Sequence, residues 1–258
     1  MNLKSMAMIA VSMAWLAGCV TTTTGPKVPQ ANRTDAAESN YNLGRQYYLR
    51  GNYERARDAL NRSLEFNERL AKTHMMLGLT YERLDVPRLA KQHYELAVRS
   101  EPRNLAVRNG YAVYLCNTDQ ADEAREQFER VVSAPDNDDP EVALTNAGVC
   151  MQSASNVDAA EDYFRRALDE KPNHPEALLQ LMLLKHGGGD SLSARAFLER
   201  YMSVAPPSPA ILELAIEIER KTGNDSAECE YMRRLLSEFP TSEESKRVLR
   251  FSADRCMR

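Results

Sequence analysis

A 34-residue beat runs through most of this chain and leaves few folds open to it. Ala56, Ala90, Ala124, Ala160 and Ala194 are spaced 34, 34, 36 and 34 residues apart. Leu60, Tyr94, Phe128, Phe164, Leu198 and Met232 follow at 34, 34, 36, 34 and 34. Pro102, Pro172, Pro206 and Pro240 are separated by 70, 34 and 34, the first interval being one 34 plus one 36. The ladders agree on a single two-residue insertion near Asp138-Asp139-Pro140. A unit of this size cannot bury an apolar face alone, so successive units must stack around a continuous core. A turn former recurs inside each unit, at Gly51, Asp85, Asp119, Ser155, Gly189 and Gly223, which predicts helix–turn–helix units. Aromatics at 7%, with only 11 Gly and 12 Pro in 258 residues, argue against a strand-rich or low-complexity chain.

The period and its slots resemble the tetratricopeptide repeat. Residues 71–104 carry Leu77-Gly78, Tyr81, Ala90, Tyr94, Ala97 and Pro102, and residues 141–174 carry Gly148, Ala160, Phe164, Ala167 and Pro172. Weaker copies fall at 37–70, 105–138, 175–208 and 209–242; in the last, Glu228 takes the alanine slot, which an edge position would tolerate. The expected architecture is an all-α, right-handed solenoid of about six repeats over 37–242, with residues 243–258 as a capping helix over the open end. Small residues at Gly44, Gly78 and Gly148 would let the two helices of a unit approach closely, with the aromatic ladder filling the next gap.

Residues 1–18 read as an export signal: Lys4 is followed by an apolar stretch from Met6 to Leu16, too short for a comfortable spanning helix. Leu16-Ala17-Gly18-Cys19 resembles the bacterial lipobox. That resemblance implies cleavage before Cys19 and a covalent lipid on its thiol; the alternative is an ordinary signal with a chance cysteine. Val20, where an Asp would imply inner-membrane retention, implies the periplasmic face of the outer membrane. Acyl chains contribute about 0.8 kcal/mol per buried CH₂. Residues 19–36 then comprise the lipidated cysteine and a tether without apolar periodicity, with an r.m.s. reach of about 20–25 Å.

Four cysteines remain, and the oxidising compartment favours pairing. Cys116 and Cys150 lie near the ends of the first helices of adjacent repeats; Cys229 and Cys256 lie in the last repeat and the helix packing on it. Cys116–Cys150 with Cys229–Cys256 is the pairing that joins neighbours, against an alternative of four buried thiols. His74, His93, His174 and His186 are scattered, with no HExxH and no zinc spacing. His186-Gly187-Gly188-Gly189 lacks the lysine and preceding strand of a phosphate loop and falls on the recurring turn. No nucleophile–base constellation stands out, so the expectation is a non-enzyme without metal, cofactor or small-molecule substrate. A net charge of −4 removes the basic footprint of a nucleic-acid binder, and no apolar run long enough for a multi-span membrane protein occurs.

By the repeat resemblance, slots 2, 5, 9, 12 and 13 of each unit line a concave groove. In the N-terminal half these place Tyr41, Arg45, Tyr48, Leu49, Met75, Leu79 and Arg83 together, with Tyr48 and Met75 facing one another. Aromatic, Met and Arg side chains are enriched where proteins meet; the plainer alternative is that several pack against neighbouring repeats. Signal, length, repeat number and the opening NYNLGRQYYLRGNYERARDAL together resemble the PilW/PilF family of type IV pilus biogenesis lipoproteins. That resemblance implies a pilotin: a non-catalytic escort that brings the secretin subunit to the outer membrane and promotes its multimerisation. The competing expectation is a repeat lipoprotein that recruits peptidoglycan-remodelling enzymes.

Overall fold

A computed structural model describes residues 32–256; the signal sequence, Cys19 and residues 20–31 lie outside the described residues. Thirteen helices follow one another among the described residues, with no strand. They run as α1 (Arg33–Leu49), α2 (Tyr53–Phe66), α3 (Ala71–Arg83), α4 (Pro87–Ser100), α5 (Leu105–Asn117), α6 (Ala121–Val132), α7 (Pro140–Ser153), α8 (Val157–Glu170), α9 (Pro175–Gly187), α10 (Ser191–Val204), α11 (Pro209–Thr222), α12 (Asp225–Glu238) and α13 (Glu243–Cys256). Helices α1 to α12 pack as six antiparallel pairs, and α13 lies on α11 and α12. The described residues form an all-α stack of helix–turn–helix hairpins. One boundary differs from the sequence reading: helix begins at Arg33, so residues 33–36 are not tether. The Asn32 side chain accepts from the Thr34 N–H, and the Arg33 guanidinium donates to the carbonyls of Glu65 and Phe66, which together hold the first turn.

The hairpins close the same way at every turn. Gly51, Asp85, Asp119, Ser155, Gly189 and Gly223 all have φ between 56° and 81°, the left-handed conformation that stops a helix. The following N–H reaches back five residues in each case, as from Asn52 to Tyr47 O (3.0 Å), Val86 to Tyr81 O (2.9 Å) and Asn156 to Met151 O (2.8 Å). These bonds satisfy carbonyls that a helix end would leave open. The next helix then starts at once, because Asn52, Asn156, Asp190 and Asn224 cap it with their side chains. Val86 cannot cap, and Pro87 at the first helical position takes over there.

In three of the hairpins a glycine on the first helix faces a large side chain on the second. A Cβ on Gly44 would lie 2.5 Å from Leu60 Cγ, one on Gly78 2.7 Å from Tyr94 Cε2, and one on Gly148 2.4 Å from Phe164 Cε1. The equivalent slots in the later hairpins hold Met182 and Ile216, and there the facing residues are the aliphatic Leu198 and Met232. The alanine ladder from Ala56 to Ala194 has no exposed surface. Glu228, expected to be tolerated at an edge, is wholly buried instead; Arg220 pairs with it at 2.7 Å, so the charge is held by a partner rather than by water.

Two of the four histidines read as scattered are brought together between α3 and α4. His74 Nε2 lies 2.9 Å from the Glu68 carbonyl, and His74 Nδ1 lies 3.0 Å from His93 Nδ1. A carbonyl only accepts, so His74 carries its proton on Nε2 and His93 donates from Nδ1. Tyr81 stacks on the His93 ring. Burial keeps both imidazoles neutral: His74 lies below its ordinary value, with Arg99 of α4 adding like charge, and His93 is pushed down to about 4. The unfolded chain binds protons near the ordinary value that the native pair refuses, so stability rises with pH from about 4 to about 6.5.

Three expectations follow from this packing. Gly148→Ala should cost about 1–3 kcal/mol because the aromatic ring behind it has nowhere to move. Ser155→Gly should instead gain up to about 1 kcal/mol by relieving a left-handed non-glycine residue; urea unfolding of both variants tests the pair, and a destabilised Ser155→Gly would contradict the turn argument. The unfolding midpoint should fall between pH 7 and pH 5, and the fall should shrink in His93→Gln; an unchanged pH dependence in that variant would remove the pair as its cause.

Candidate functional site

The first helix of each hairpin lines the inside of the stack. α1 touches α3, α3 touches α5, α5 touches α7 and α7 touches α9, whereas the second helices make no comparable contact with one another among the described residues. Successive helices come closest on the inner side of a curve, so the odd-numbered helices form the concave face.

The N-terminal half of that face divides the expected site residues into two groups. Tyr41, Met75 and Leu79 are half-buried and pack on the core. Lys72 sits 4.7 Å above the Tyr41 ring while pairing with Glu38, tying α1 to α3. Met75 lies against Gly110 of α5, 3.2 Å from where a Cβ would stand. It is therefore paired with the next helix along, and the expected facing of Tyr48 and Met75 gives way to a different set of neighbours. Tyr48 packs edge-on against Tyr53 at 5.5 Å, and the Arg83 guanidinium lies 4.8 Å over the Tyr53 ring. Burial raises the Tyr48 hydroxyl above its ordinary value, with Arg83 pulling the other way, so the phenol stays protonated as a donor. Arg45 is exposed, and Leu49 is 69% exposed at the end of α1.

Tyr48, Tyr53, Arg83 and Leu49 thus gather where α1 and α3 end and α2 begins, an aromatic–guanidinium patch with an apolar side chain beside it. Aromatic and Arg side chains of this kind anchor protein partners, and cation–π contacts hold them in place before any partner arrives. Tyr53 was not expected: it belongs to a second helix, which slot rules assign away from the groove. Its signal in the sequence is an aromatic at the first position after a cap, where a side chain can turn back over the hairpin.

The row also continues further than expected. Leu79, Val113, Val149 and Leu183 occupy equivalent positions on α3, α5, α7 and α9; Val149 is 38% and Leu183 39% exposed. The concave face therefore carries an apolar line across four hairpins. Cys116, another groove slot, is bonded to buried Cys150 of the next hairpin, and the Asn146 amide donates to Asn109 at 3.3 Å beside it. Cys229 is bonded to Cys256 of the last helix. Among the described residues there is no group of three or more His, Cys, Asp or Glu arranged to hold a metal ion.

Comparison with known proteins adds to this geometry. The tetratricopeptide repeat family matches residues 37–70 and again 75–140. Across 240 residues the chain is 26% identical to the type IV pilus assembly protein PilF of Pseudomonas aeruginosa, covering 92% of this chain and 94% of that protein. The crystal structure of PilW, a widely conserved type IV pilus biogenesis factor, superposes with a TM-score of 0.69 at 25% identity, over 83% of this chain and 98% of PilW. The solved Pseudomonas aeruginosa PilF shares the fold, with a TM-score of 0.66 at 23% identity over 86% and 99% of the two chains.

The Cys116–Cys150 bond closes a 34-residue separation between stacked helices, for which chain-entropy arguments give about 3–4 kcal/mol. Cys116→Ser with Cys150→Ser should lower unfolding stability by about that amount. Non-reducing peptide mapping should recover the two pairs, and four alkylatable thiols in the native protein would refute them.

Proposed function

We propose that this chain, a tetratricopeptide-repeat protein homologous to the type IV pilus assembly protein PilF, is a non-catalytic pilotin for a secretin subunit of a type IV pilus system. The observation that carries this reading is the coverage of the likeness: it extends over 92% of the chain, beyond what a shared repeat unit alone would give. The pilus biogenesis factors it resembles supply the process. The concave patch of Tyr48, Tyr53, Arg83 and Leu49 supplies a surface of the right chemistry, with the apolar line through Val149 and Leu183 extending it.

The anchor belongs to the same reading. Lipidation of Cys19 would hold the protein on the periplasmic face of the outer membrane, and residues 20–31 would let the helical body reach a client. Anchor and groove then act as one device: the lipid raises the local concentration of groove-bound secretin at the membrane where it multimerises. No bond needs to be made or broken in the client, and tight binding to a folding subunit is followed by release into the multimer.

Tyr48→Ala removes the centre of the patch. Truncating a central aromatic anchor costs about 2–4 kcal/mol of binding, so affinity for the secretin should fall roughly 30-fold or more, with helicity unchanged. Glu38→Ala, at the rim, should alter it little. In cells, Cys19→Ala should leave unprocessed precursor, secretin monomers and few surface pili. Normal secretin binding by Tyr48→Ala, combined with its loss in the convex-face variant Arg57→Glu, would place the contact on the other surface and defeat the groove reading.

A further inference from the structure

The two-residue insertion in the repeat ladder plays no part in the groove, yet it shapes the surface where it falls. The other connections between hairpins hold four residues, whereas α6 to α7 runs seven, Ser133 to Asp139. The Asn137 side-chain amide donates to Val131 O at 2.9 Å and its backbone N–H to Ala134 O at 3.1 Å, fixing this loop in a compact turn. Between the turn and the start of α5 lies a cleft of about 540 Å³, walled by Arg103, Leu105, Arg108, Arg130, Pro135 and Asp136.

Its charge is unbalanced. Arg108 is pinned by neutral acceptors, donating to Gln127 Oε1 at 2.7 Å and to the Pro102 carbonyl at 2.8 Å, so it is positioned without being neutralised. Arg130 pairs with Glu126 on its own helix at 2.6 Å. Arg103 makes no ion pair among the described residues, and Asp136 is the single carboxylate in the lining. Burial and the like charge of Arg130 both disfavour the Arg108 cation, an arrangement that an incoming anion relieves. α5 starts at this cleft, adding the positive end of its dipole. Guanidinium forks match the paired oxygens of carboxylate and phosphate alike, and phosphate is the anion that every phospholipid surface presents.

The chain's own geometry identifies where that phosphate comes from. Arg33, at the start of α1, donates to carbonyls at the end of α2. The N-terminal segment therefore leaves the stack on the edge where the second helices end and the first helices begin. The α4–α5 and α6–α7 connections, which build the cleft, lie on that same edge. We propose that the cleft binds the phosphate of an anionic membrane lipid headgroup, seating the edge from which the N-terminal segment departs against the bilayer. The inference rests on the anchored reading of Cys19: a tether alone leaves the body free to tumble, whereas a second contact orients the groove relative to the membrane.

The test uses the chain from residue 20 onward, which keeps every described helix and lacks the lipidated cysteine. Binding is measured to phosphatidylcholine vesicles with and without phosphatidylglycerol, and separately to inorganic phosphate. The anionic vesicles should be bound in a salt-sensitive way. Arg103→Glu, at a side chain with no structural bond to lose, should weaken that binding about fivefold or more, since each basic residue at an anionic surface contributes about 1 kcal/mol. Arg233→Glu, an equal charge change on α12, should leave it unchanged. Equal losses in the two variants would mean diffuse electrostatics and overturn the site. Binding of inorganic phosphate without vesicle binding would make it a pocket for a free anion and overturn the membrane contact. Because this chain carries no lipid, either failure leaves the pilotin reading to be judged by the N-terminal mass of the mature protein and by its secretin binding.

Discussion

The closeness of the two helices in each hairpin is the constraint from which the remaining geometry follows. At the crossing, one helix must give up side-chain volume and the other must fill it. Gly44 gives way to Leu60, Gly78 to Tyr94 and Gly148 to Phe164, at distances where a single added methyl collides. Where the first helix presents Met182 or Ile216, the partner is the aliphatic Leu198 or Met232 in place of the rings of Tyr94 and Phe164. Each crossing is filled without a large void, as core packing requires, whichever helix supplies the bulk. Hairpins that close in the same way can stack in register, and only a stack in register aligns the odd-numbered helices into one concave face.

That dependence explains why the fold was legible from the sequence while half of the site was not. The crossing residues, the alanine ladder and the left-handed turn residues each recur at fixed spacing because each answers a demand every hairpin makes. Asp85, Asp119 and Ser155 carry the same signal as Gly51 because the turn selects on backbone conformation, which those residues tolerate. The residues of the groove answer no such demand, and no repeat imposes them. Slot rules located Tyr48 and Arg83, yet they could not bring in Tyr53, which reaches the patch by its place after a cap. Nor could they pair Met75 with Gly110 rather than with Tyr48, because that depends on how far one hairpin rotates against the next. The His74–His93 contact was hidden for the same reason: it joins two different slots across a single hairpin.

Departures from the repeat are accompanied by compensation nearby. Glu228 replaces an alanine at a fully buried position, and the ion pair with Arg220 accompanies it; Arg195 similarly meets the buried Glu219 at 3.4 Å. Ions are expensive in a core and are retained there only with partners. Both clusters sit near the C-terminal end, where the next neighbour is α13 rather than another hairpin. Val248 of α13 joins Leu212, Ile216, Met232 and Leu235 in a small core of its own, and Arg247 clasps Glu213 of α11 at 2.6 Å.

Placement of the covalent links completes the argument. In a linear stack, stability is the sum of contacts between neighbours, so the weakest junction decides where the array opens. Two junctions are irregular: the one lengthened by the inserted residues, and the last, which has no hairpin beyond it. Cys116–Cys150 crosses the first and Cys229–Cys256 the second. The junction between the first two hairpins has no covalent link among the described residues. It is held by the Ser63 hydroxyl against that of Thr73 (3.1 Å), by Lys72 with Glu38, and by Arg83 over Tyr53. Those contacts are individually modest, and they border the patch of Tyr48, Tyr53 and Leu49. Both disulfides thus sit at irregular junctions, and the patch borders a regular one that is held without a covalent link.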